Sequence, residues 1–440
     1  MTSGARRAWA VVALLWVAYF LYYTDRQLTF SIYTVFRSDL RFTEVQLGLV
    51  GSVFLWVYGL TSPVAGQLGD WVPKRLLVAL SLGLWGAATA LTGLAHSPEA
   101  VLGFRALIGV VEGLFMPAAV ALVASAHGPA TRSRAMGVLS AAQLAGVVAG
   151  SSYGGWMAQT GHWRWAFYSL GFAGLAFVGP LAAGLRRLTE EPAAPAPRGR
   201  EISVAALARV PSYGVLCVVY PTFCFALWLV YSWLPDYFRA RFALMPGEAG
   251  FASTAYAQGA TLVALVAGGA GADRLFRRIP SARFLLVVAG LTLVSPCLYL
   301  LARTDSFGTA KAAAAGFGLG CGLFIANLFV SAFDVVPANA RASAVGWLNL
   351  LGCLVSGCAS YLGGANRGSA GVPALMSGAA IACLVAALLL AAATAVFFRR
   401  DYERACAAGE PASPLPPEVV PPRVGDTPVQ KSLTRGVQAP

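Results

Sequence analysis

Hydrophobic residues occur in long, nearly uninterrupted runs along this chain, each long enough to cross a lipid bilayer as a helix. A helix needs about 20 apolar residues to span the hydrocarbon layer, and twelve runs reach that length. Their predicted bounds are 8–34, 45–67, 76–95, 99–125, 135–158, 163–185, 213–238, 247–271, 281–302, 308–335, 343–364 and 371–398. The pattern therefore predicts an all-α membrane protein with twelve transmembrane helices.

A segment rich in proline and charge divides these runs into two groups of six. It contains Arg186, Arg187 and the Pro/Ala-rich stretch Glu190 to Pro197, a composition typical of a linker. We therefore predict a six-helix bundle over 1–185, a cytoplasmic linker over 186–212 and a second six-helix bundle over 213–404. The remaining 405–440 are rich in Pro, Ser and Val without helical periodicity, and we expect a disordered cytoplasmic tail.

Composition and charge agree with a membrane location. Hydrophobic residues make up 58% of the chain and charged residues 12%, against about a quarter charged in soluble domains. The net charge of +13 does not indicate nucleic-acid binding, because the basic residues lie in short loops, mostly on the side of the runs that carries both termini. Basic loops are typical of the cytoplasmic side, so both termini should be cytoplasmic. The high content of Ala, Gly and Arg favours a bacterial inner membrane.

The first run could be mistaken for a secretory signal. Arg6 and Arg7 precede an apolar run that is too long for a signal peptide, so we expect it to remain as the first helix. The eight cysteines lie at or after Cys217 without metal-ligand spacing, and the three histidines fall in predicted loops. We therefore expect no metal, no cofactor and no catalytic residue, and the chain is not predicted to be an enzyme.

Four charged residues interrupt the apolar runs: Asp25 and Arg26 in the first, and Arg105 and Glu112 in the fourth. Each costs about 2.5–3.5 kcal/mol at the bilayer centre on insertion scales, so each needs a partner or a function. Neighbouring helix positions point about 100° apart, and Arg105 and Glu112 lie about 10 Å apart along their helix. Each charge must therefore find its partner on the other helix.

Depth in the membrane suggests the pairs. Counted from the outer ends of the two runs, Asp25 and Arg105 lie at similar depth, so we pair them. Glu112 lies deeper and should face Arg26 or the cavity. The alternative interpretation is a static clamp of ion pairs between two helices. We favour a functional role, because buried ionisable groups in membranes usually mark a transport pathway.

The two halves contain related loops. The stretch from Gly66 to Arg75 and the stretch from Gly269 to Arg278 both read Gly, three residues, Asp and then a basic cluster. A repeat at matching places in two halves fits a duplicated carrier with a site between the halves. The first stretch resembles the loop signature of the major facilitator superfamily, G-x-x-x-D-R-x-G-R-R, although Trp71 and Pro73 depart from it. The resemblance implies a cytoplasmic gate formed by Gly66, Asp70, Lys74, Arg75, Asp273 and Arg274.

Within that superfamily the sequence resembles the anion:cation symporters, which include sugar-acid carriers and vesicular organic-anion carriers. The likeness rests on four segments: Tyr23–Gln27, Phe104–Ala118, Trp163–Phe167 and Trp233–Tyr237. A weaker likeness is to the spinster-type lipid exporters, which have similar first and fourth segments. The resemblance covers nearly the whole chain up to about residue 404.

Several polar residues within the spans could line a binding site. Sugar-acid carriers of the family bind substrate through a Tyr in the second span, a Gln in the fifth and an Asn in the eleventh, and the resemblance places Tyr58, Gln143 and Asn349 in these roles. Asn327 and Gln258 are fainter candidates. The alternative for each is a hydrogen bond between helices. Arg26 is the predicted anion-binding residue, because a guanidinium holds a carboxylate with two parallel hydrogen bonds.

The acids suggest how transport could be coupled. Burial disfavours the charged form of a carboxyl, while a nearby arginine favours it, so Asp25, Glu112 and Arg105 are the predicted proton-coupling residues. We predict a symporter that imports a small organic anion, a sugar acid or another carboxylate, with protons by alternating access. The alternative is an exporter of lysolipids or drugs on the same fold. The expected partners are the anion, protons and the lipid bilayer, with no nucleic acid, and we expect a monomer.

Overall fold

The computed structural model describes residues 3–68, 72–189, 207, 209–337, 340–367 and 371–407, with the side chains of a few helical residues left out. Within these ranges the chain is helical, without strands, and twelve helices are long and apolar enough to cross a membrane. The predicted all-α, twelve-helix architecture is confirmed. The helices are α1 (Ser3–Ser31), α2 (Glu44–Leu68), α3 (Lys74–Thr92), α4 (Pro98–Ala126), α5 (Pro129–Gln159), α6 (Trp163–Leu188), α7 (Pro211–Phe242), α8 (Pro246–Phe276), α9 (Ala282–Arg303), α10 (Phe307–Val335), α11 (Arg341–Ala365) and α12 (Gly371–Val396).

The helix bounds differ from the predicted runs mainly at their ends. The first run, predicted to continue to residue 34, is broken at Ile32, where the backbone leaves helical geometry and a short helix, Tyr33–Asp39, begins. Helices α5 and α7 begin at Pro129 and Pro211. Proline fits the first turn of a helix, because the N–H that it lacks would have no hydrogen-bond partner within the helix. Most of the predicted linker and tail lies outside the described residues, so the domain bounds stay a prediction.

The same helix contacts occur in both groups of six. Helix α1 packs against α5 and α6, α2 against α4, and α3 against α4 and α6. Six helices later, α7 packs against α11 and α12, α8 against α10, and α9 against α10 and α12. We call α1–α6 the first half and α7–α12 the second half. Corresponding contacts in the two halves agree with the sequence repeat.

Glycines bring the helices around the buried charges close together. A Cβ at Gly109 of α4 would lie 2.7 Å from the carbonyl oxygen of Phe54 in α2, and a Cβ at Gly150 of α5 would overlap the carbonyl of Thr24 in α1. Small residues permit such close approach of helices in membranes. As a result, α1 packs closely against α5 and α2 against α4, and Asp25 and Arg26 are buried.

The two halves meet through α2 with α11 and through α5 with α8. We call the end of the bundle that carries residues 3 and 407 the inner end, and the opposite end the outer end. At the outer end, a Cβ at Gly364 would overlap the carbonyl of Glu44, and one at Gly250 would overlap that of Ser151. Contacts between α2 and α11 continue to the depth of Gly59 and Cys353. The outer end is therefore closed by direct backbone packing.

Candidate functional site

The first buried ion pair joins α1 to α4, about two helical turns from the outer end of α4. Arg105 donates a hydrogen bond from Nη2 to Oδ1 of Asp25 at 3.2 Å, and both residues are buried. This is the pairing expected from their similar depth. Among the described residues, neither Asp25 Oδ2 nor Arg105 Nε has a hydrogen-bond partner. The pair is therefore joined by one hydrogen bond rather than two and retains polar atoms that are not hydrogen-bonded.

The second buried pair lies deeper on the same two helices. Arg26 donates from Nη2 to Oε2 of Glu112, and both side chains are buried. Glu112 thus faces Arg26, one of the two environments that its depth suggested. Arg26 Nε and Glu112 Oε1 have no hydrogen-bond partner within the described part of the chain. The Nε donor is enclosed by protein, so a second carboxylate would have to compete with Glu112 for the guanidinium.

Aromatic rings surround Arg26. The centroids of the Tyr23 and Phe54 rings lie 4.4 and 4.6 Å from its guanidinium carbon, and those of Tyr58 and Trp228 lie 5.7 Å away. Aromatic faces attract cations over such distances. Tyr58 is therefore next to Arg26, as its predicted role requires. Sequence reasoning missed Phe54 and Trp228, because an aromatic residue that packs helices and one that lines a site look the same in an apolar run.

The other predicted binding residues are placed less directly. Tyr19 donates to Gln143 Oε1 at 3.2 Å and stacks edge-on against Tyr23 at 4.9 Å, so Gln143 reaches the surroundings of Arg26 through Tyr19. Asn349 Oδ1 contacts Cys353 Sγ at 4.0 Å. Cys353 in turn packs beside Gly59, the neighbour of Tyr58. The substrate-binding roles of Gln143 and Asn349 stay predictions.

The two fainter candidates form hydrogen bonds within the second half. Asn327 donates to the carbonyl of Leu323 in its own helix at 2.9 Å. Gln258 donates to the Tyr231 hydroxyl at 2.8 Å, and no described residue bonds its Oε1. Asn327 is thus satisfied locally, whereas Gln258 links α8 to α7 and keeps a free acceptor. No contact between Asn327 and the buried pairs occurs among the described residues.

The predicted gate loops are described only in part. Gly66 lies in the last turn of α2, and Lys74 and Arg75 form the first turn of α3. Asp70 lies outside the described residues, and of Asp273 in α8 the structure describes the backbone but not the side chain. Arg274 is exposed. The gate role of these six residues therefore stays a prediction.

An ion-pair cluster at the outer end joins the two halves. Arg37, in the short helix after α1, donates to Glu44 at 2.6 Å and with both terminal nitrogens to Asp236 of α7 at 2.9 and 3.1 Å. Arg367, just beyond α11, also donates to Asp236 and lies 3.5 Å from Glu44. The Asp236 side chain is 3% exposed, the others 23–36%. This cluster therefore links the two halves at the outer end through ion pairs.

We expect the Asp236→Asn variant to loosen the outer end. Asparagine keeps the shape of the residue but removes the charge that holds Arg37 and Arg367 together. Hydrogen–deuterium exchange of peptides covering 44–52 and 356–365 should accelerate at least about threefold, which corresponds to about 0.6 kcal/mol. The control is Asp305→Asn, which breaks the exposed Arg241–Asp305 pair within the second half and should leave these peptides unchanged. Unchanged exchange in Asp236→Asn would show that backbone packing alone closes this end.

The described residues contain no group of three or more His, Cys, Asp or Glu that could hold a metal ion. The side chains that the structure brings together at the site carry guanidinium, carboxyl, amide and aromatic groups. A guanidinium can bind an anion, and a carboxyl can take or release a proton.

Known proteins with similar sequences are transporters. The chain is 27% identical over 308 residues to the voltage-gated purine nucleotide uniporter of Rattus norvegicus, covering 64% of this chain and 66% of that protein. It is 29% identical over 299 residues to the "Probable sulfoacetate transporter" of Cupriavidus necator (62% and 66%), and 30% identical over 296 residues to an MFS-type efflux pump of Mycolicibacterium smegmatis (66% and 68%). The matched part thus spans about two thirds of the length of these relatives.

The fold has solved counterparts. A crystal structure of a bacterial homologue of the human lysosomal transporter spinster, in an inward-facing and occupied conformation, superposes with a TM-score of 0.71 at 18% identity. The superposition covers 92% of this chain and 98% of that one. The sequence profile described as Major Facilitator Superfamily matches residues 15–360. This protein is therefore an integral membrane transporter with twelve spans that belongs to the Major Facilitator Superfamily.

Proposed function

We propose that the chain is a secondary transporter that imports a small organic anion, a sugar acid or another carboxylate, together with protons. The observation that carries this proposal is the buried pair of Arg26 and Glu112. A guanidinium can hold a carboxylate with two parallel hydrogen bonds, and here Glu112 accepts one while Arg26 Nε stays free. The carboxylates of substrate and protein would compete for one cation, and a proton on Glu112 would decide the competition.

The first pair adds a second acid to this proposal. Asp25 precedes Arg26 in α1 and pairs with Arg105, seven residues from Glu112 in α4. A change in one pair can therefore reach the other through the backbone of either helix. We assign proton coupling to Asp25, Glu112 and Arg105, and substrate binding to Arg26 with Tyr58, Gln143 and Asn349. Asn327 has the weakest support, because its amide is bonded to its own helix.

We propose transport by alternating access, and the arrangement of the halves supports it. Trp228 of the second half lies 5.7 Å from Arg26 of the first, which supports a site between the halves, and the outer end is closed by packing and bridged by ion pairs. Rocking of the halves would break the outer cluster and close the inner end, as in duplicated carriers. The basic residues at the inner end support a cytoplasmic location of both termini, and we propose the bacterial inner membrane.

The relatives support the anionic cargo more than the coupling. The names of two of them specify a purine nucleotide and sulfoacetate, and both compounds are anions. The first of these proteins is named a uniporter, so proton coupling in this chain rests on its buried acids. Together with the four sequence segments, these relatives support membership of the anion:cation symporter family.

A second candidate function is export of lysolipids or drugs. It is favoured by the efflux pump among the relatives and by the aromatic surroundings of Arg26, which could also accept an amphipathic molecule. A thermal-shift panel of gluconate, glucuronate and phenylacetate against lysophosphatidylcholine separates the two functions. Stabilisation by a carboxylate supports the importer, whereas stabilisation by the lysolipid alone supports the exporter.

The decisive experiment is uptake into liposomes that contain the purified protein. We expect saturable uptake of the stabilising carboxylate that is accelerated by an inside-alkaline pH gradient, and we expect a protonophore to abolish this acceleration. Saturation separates a carrier from a channel, and the response to the gradient tests coupling. Saturable uptake whose rate does not depend on the pH gradient would contradict proton coupling and would indicate a uniporter.

The Arg26→Lys variant tests the predicted anion-binding residue. Lysine keeps the positive charge but loses the planar fork that binds a carboxylate through two bonds. Carboxylate affinity, measured by calorimetry, should fall at least about tenfold, which is about 1.4 kcal/mol. Arg241→Lys, at the exposed Arg241–Asp305 pair, is the matched control and should bind normally. Unchanged affinity in Arg26→Lys would remove Arg26 from the site.

A further inference from the structure

The rings around Arg26 come from both halves of the protein. Tyr23 and Phe54 belong to the first half, and Trp228, from α7 of the second half, lies 5.7 Å from the guanidinium carbon. Phe54 is buried, whereas Tyr23, Tyr58 and Trp228 are half-buried. The rings therefore stabilise the cation and also offer flat apolar faces to whatever binds there.

Helix α7 of the second half carries a further aromatic side chain on the side that includes Trp228. Tyr220, Cys224 and Trp228 follow one another at intervals of four residues, so they lie along one side of the helix. The Tyr220 ring lies 5.4 Å from that of Phe329 in α10, and both are half-buried. Tyr220 also contacts α11 at Gly352. Aromatic and thiol groups thus form the side of α7 that carries Trp228.

Polar groups that could bind hydroxyls are mostly engaged within the protein. Gln143 accepts from Tyr19, Gln258 donates to Tyr231, and Asn327 donates to its own helix. Each of these amides is engaged at one atom, so a polyhydroxylated substrate would have to satisfy its hydroxyls at the few atoms that remain, and buried polar groups left unpaired are unfavourable. An apolar planar group has no such requirement and would cover aromatic surface.

We infer that the anion held by Arg26 carries a flat apolar body, such as the ring of an aryl carboxylate, and that Trp228 selects for it. This inference rests on the proposed function, because it presumes that Arg26 binds a carboxylate. The ring of the substrate would lie between Tyr58 or Tyr23 and Trp228, while its carboxylate competes with Glu112 for Arg26. A sugar acid presents hydroxyls to the same surfaces and binds more weakly.

Three small probes that differ in ring and charge test the inference on the purified full-length protein. Phenylacetate has the ring and the charge, phenylacetamide has the ring alone, and gluconate has the charge with hydroxyls. By calorimetry, we expect phenylacetate to bind at least about tenfold more tightly than gluconate, about 1.4 kcal/mol, and phenylacetamide not to bind. Trp228→Ala should lower phenylacetate affinity about tenfold, with gluconate affinity unchanged, and Trp228→Phe should retain most of it. Trp165→Ala, at an exposed tryptophan of α6, is the matched control.

The possible results separate this inference from the function on which it rests. Gluconate binding as tightly as phenylacetate would overturn the inference and leave an organic-anion carrier. Equal loss of both carboxylates in Trp228→Ala would remove its selective role. Phenylacetamide binding as well as phenylacetate, or no binding of either carboxylate, would overturn the proposed function itself. The comparison of the three probes uses the unmodified protein, so it tests the inference even if a variant fails to fold.

Discussion

The Glu112→Gln variant should still bind and exchange the organic anion but should no longer concentrate it in response to a proton gradient. Glutamine keeps the shape of the side chain and one acceptor oxygen for Arg26 Nη2, but it cannot take or release a proton. It therefore resembles the protonated acid permanently. In that state Arg26 is available to the substrate at either side of the membrane.

The expected size of this effect follows from the driving force. A gradient of one pH unit is worth about 1.4 kcal/mol per coupled proton, which can concentrate the anion about tenfold. In liposomes with an inside-alkaline lumen, the unmodified protein should approach that ratio. The Glu112→Gln variant should reach equal concentrations on both sides, while its exchange of internal for external labelled anion continues.

A matched control lies on the same helix. Glu99, in the first turn of α4, is exposed and contacts Gln46 at 3.4 Å, away from the buried pairs. Glu99→Gln removes the same charge and should accumulate substrate normally. Accumulation by Glu112→Gln against a gradient at low external pH would assign coupling to Asp25 or another group. Glu112 would then be a structural partner of Arg26.

The fold could be predicted from the sequence because it follows from local properties. Twelve apolar runs of spanning length, divided by one polar segment, specify the number of helices without reference to their neighbours. The break at Ile32 could not be predicted, since the sequence continues apolar through it and no Gly or Pro marks the turn. Helices α5 and α7 extend beyond their runs for a local reason, namely a proline at the first turn.

The buried pairs could also be predicted, and the reason is energetic. A charge within a membrane must find an opposite charge at its own depth, and helix geometry excluded partners on the same helix. Residue counting then left few combinations, and the structure contains Asp25–Arg105 and Arg26–Glu112. The geometry is consistent with the proposed roles of these pairs in coupling and binding. Transport assays are needed to test those roles.

The outer cluster, and the positions of Phe54 and Trp228 beside Arg26, could not be predicted. Arg37, Glu44, Asp236 and Arg367 lie in four segments far apart in the chain, and each is an ordinary charge near the end of a helix. Their contact exists only after the halves assemble. Trp228 is one of many aromatic residues in apolar runs, and only packing brings it to Arg26. Properties that depend on two halves meeting leave no local pattern.

The second large effect is expected for the pair of Asp25 and Arg105. Asp25→Asn leaves Arg105 as a buried charge without its partner, and Arg105→Gln does the same to Asp25. Removing one partner of a buried pair costs about 3–5 kcal/mol. Each single variant should therefore unfold at clearly lower denaturant or temperature, and each should transport poorly.

The double variant tests whether the side chains of Asp25 and Arg105 interact directly. With both charges absent, no buried charge lacks a partner, so the double variant should be more stable than the sum of the single effects predicts. For residues in contact the difference should lie within about 0.5–3 kcal/mol. Asp25→Asn combined with Arg164→Gln is the control, because Arg164 donates to the carbonyls of Gly93 and Ala95 instead. Strict additivity in the Asp25–Arg105 cycle would mean that the two side chains do not touch.

Transport by the same double variant decides between a static clamp and a coupling element. The two uncharged amide side chains that Asp25→Asn and Arg105→Gln introduce can hold α1 against α4 by a hydrogen bond, but they cannot exchange a proton. We expect the double variant to recover stability without recovering proton-driven accumulation. If it recovers both, the pair serves only to join the two helices, and coupling would be left to Glu112 and Arg26. If it recovers stability alone, Asp25 takes part in moving the proton.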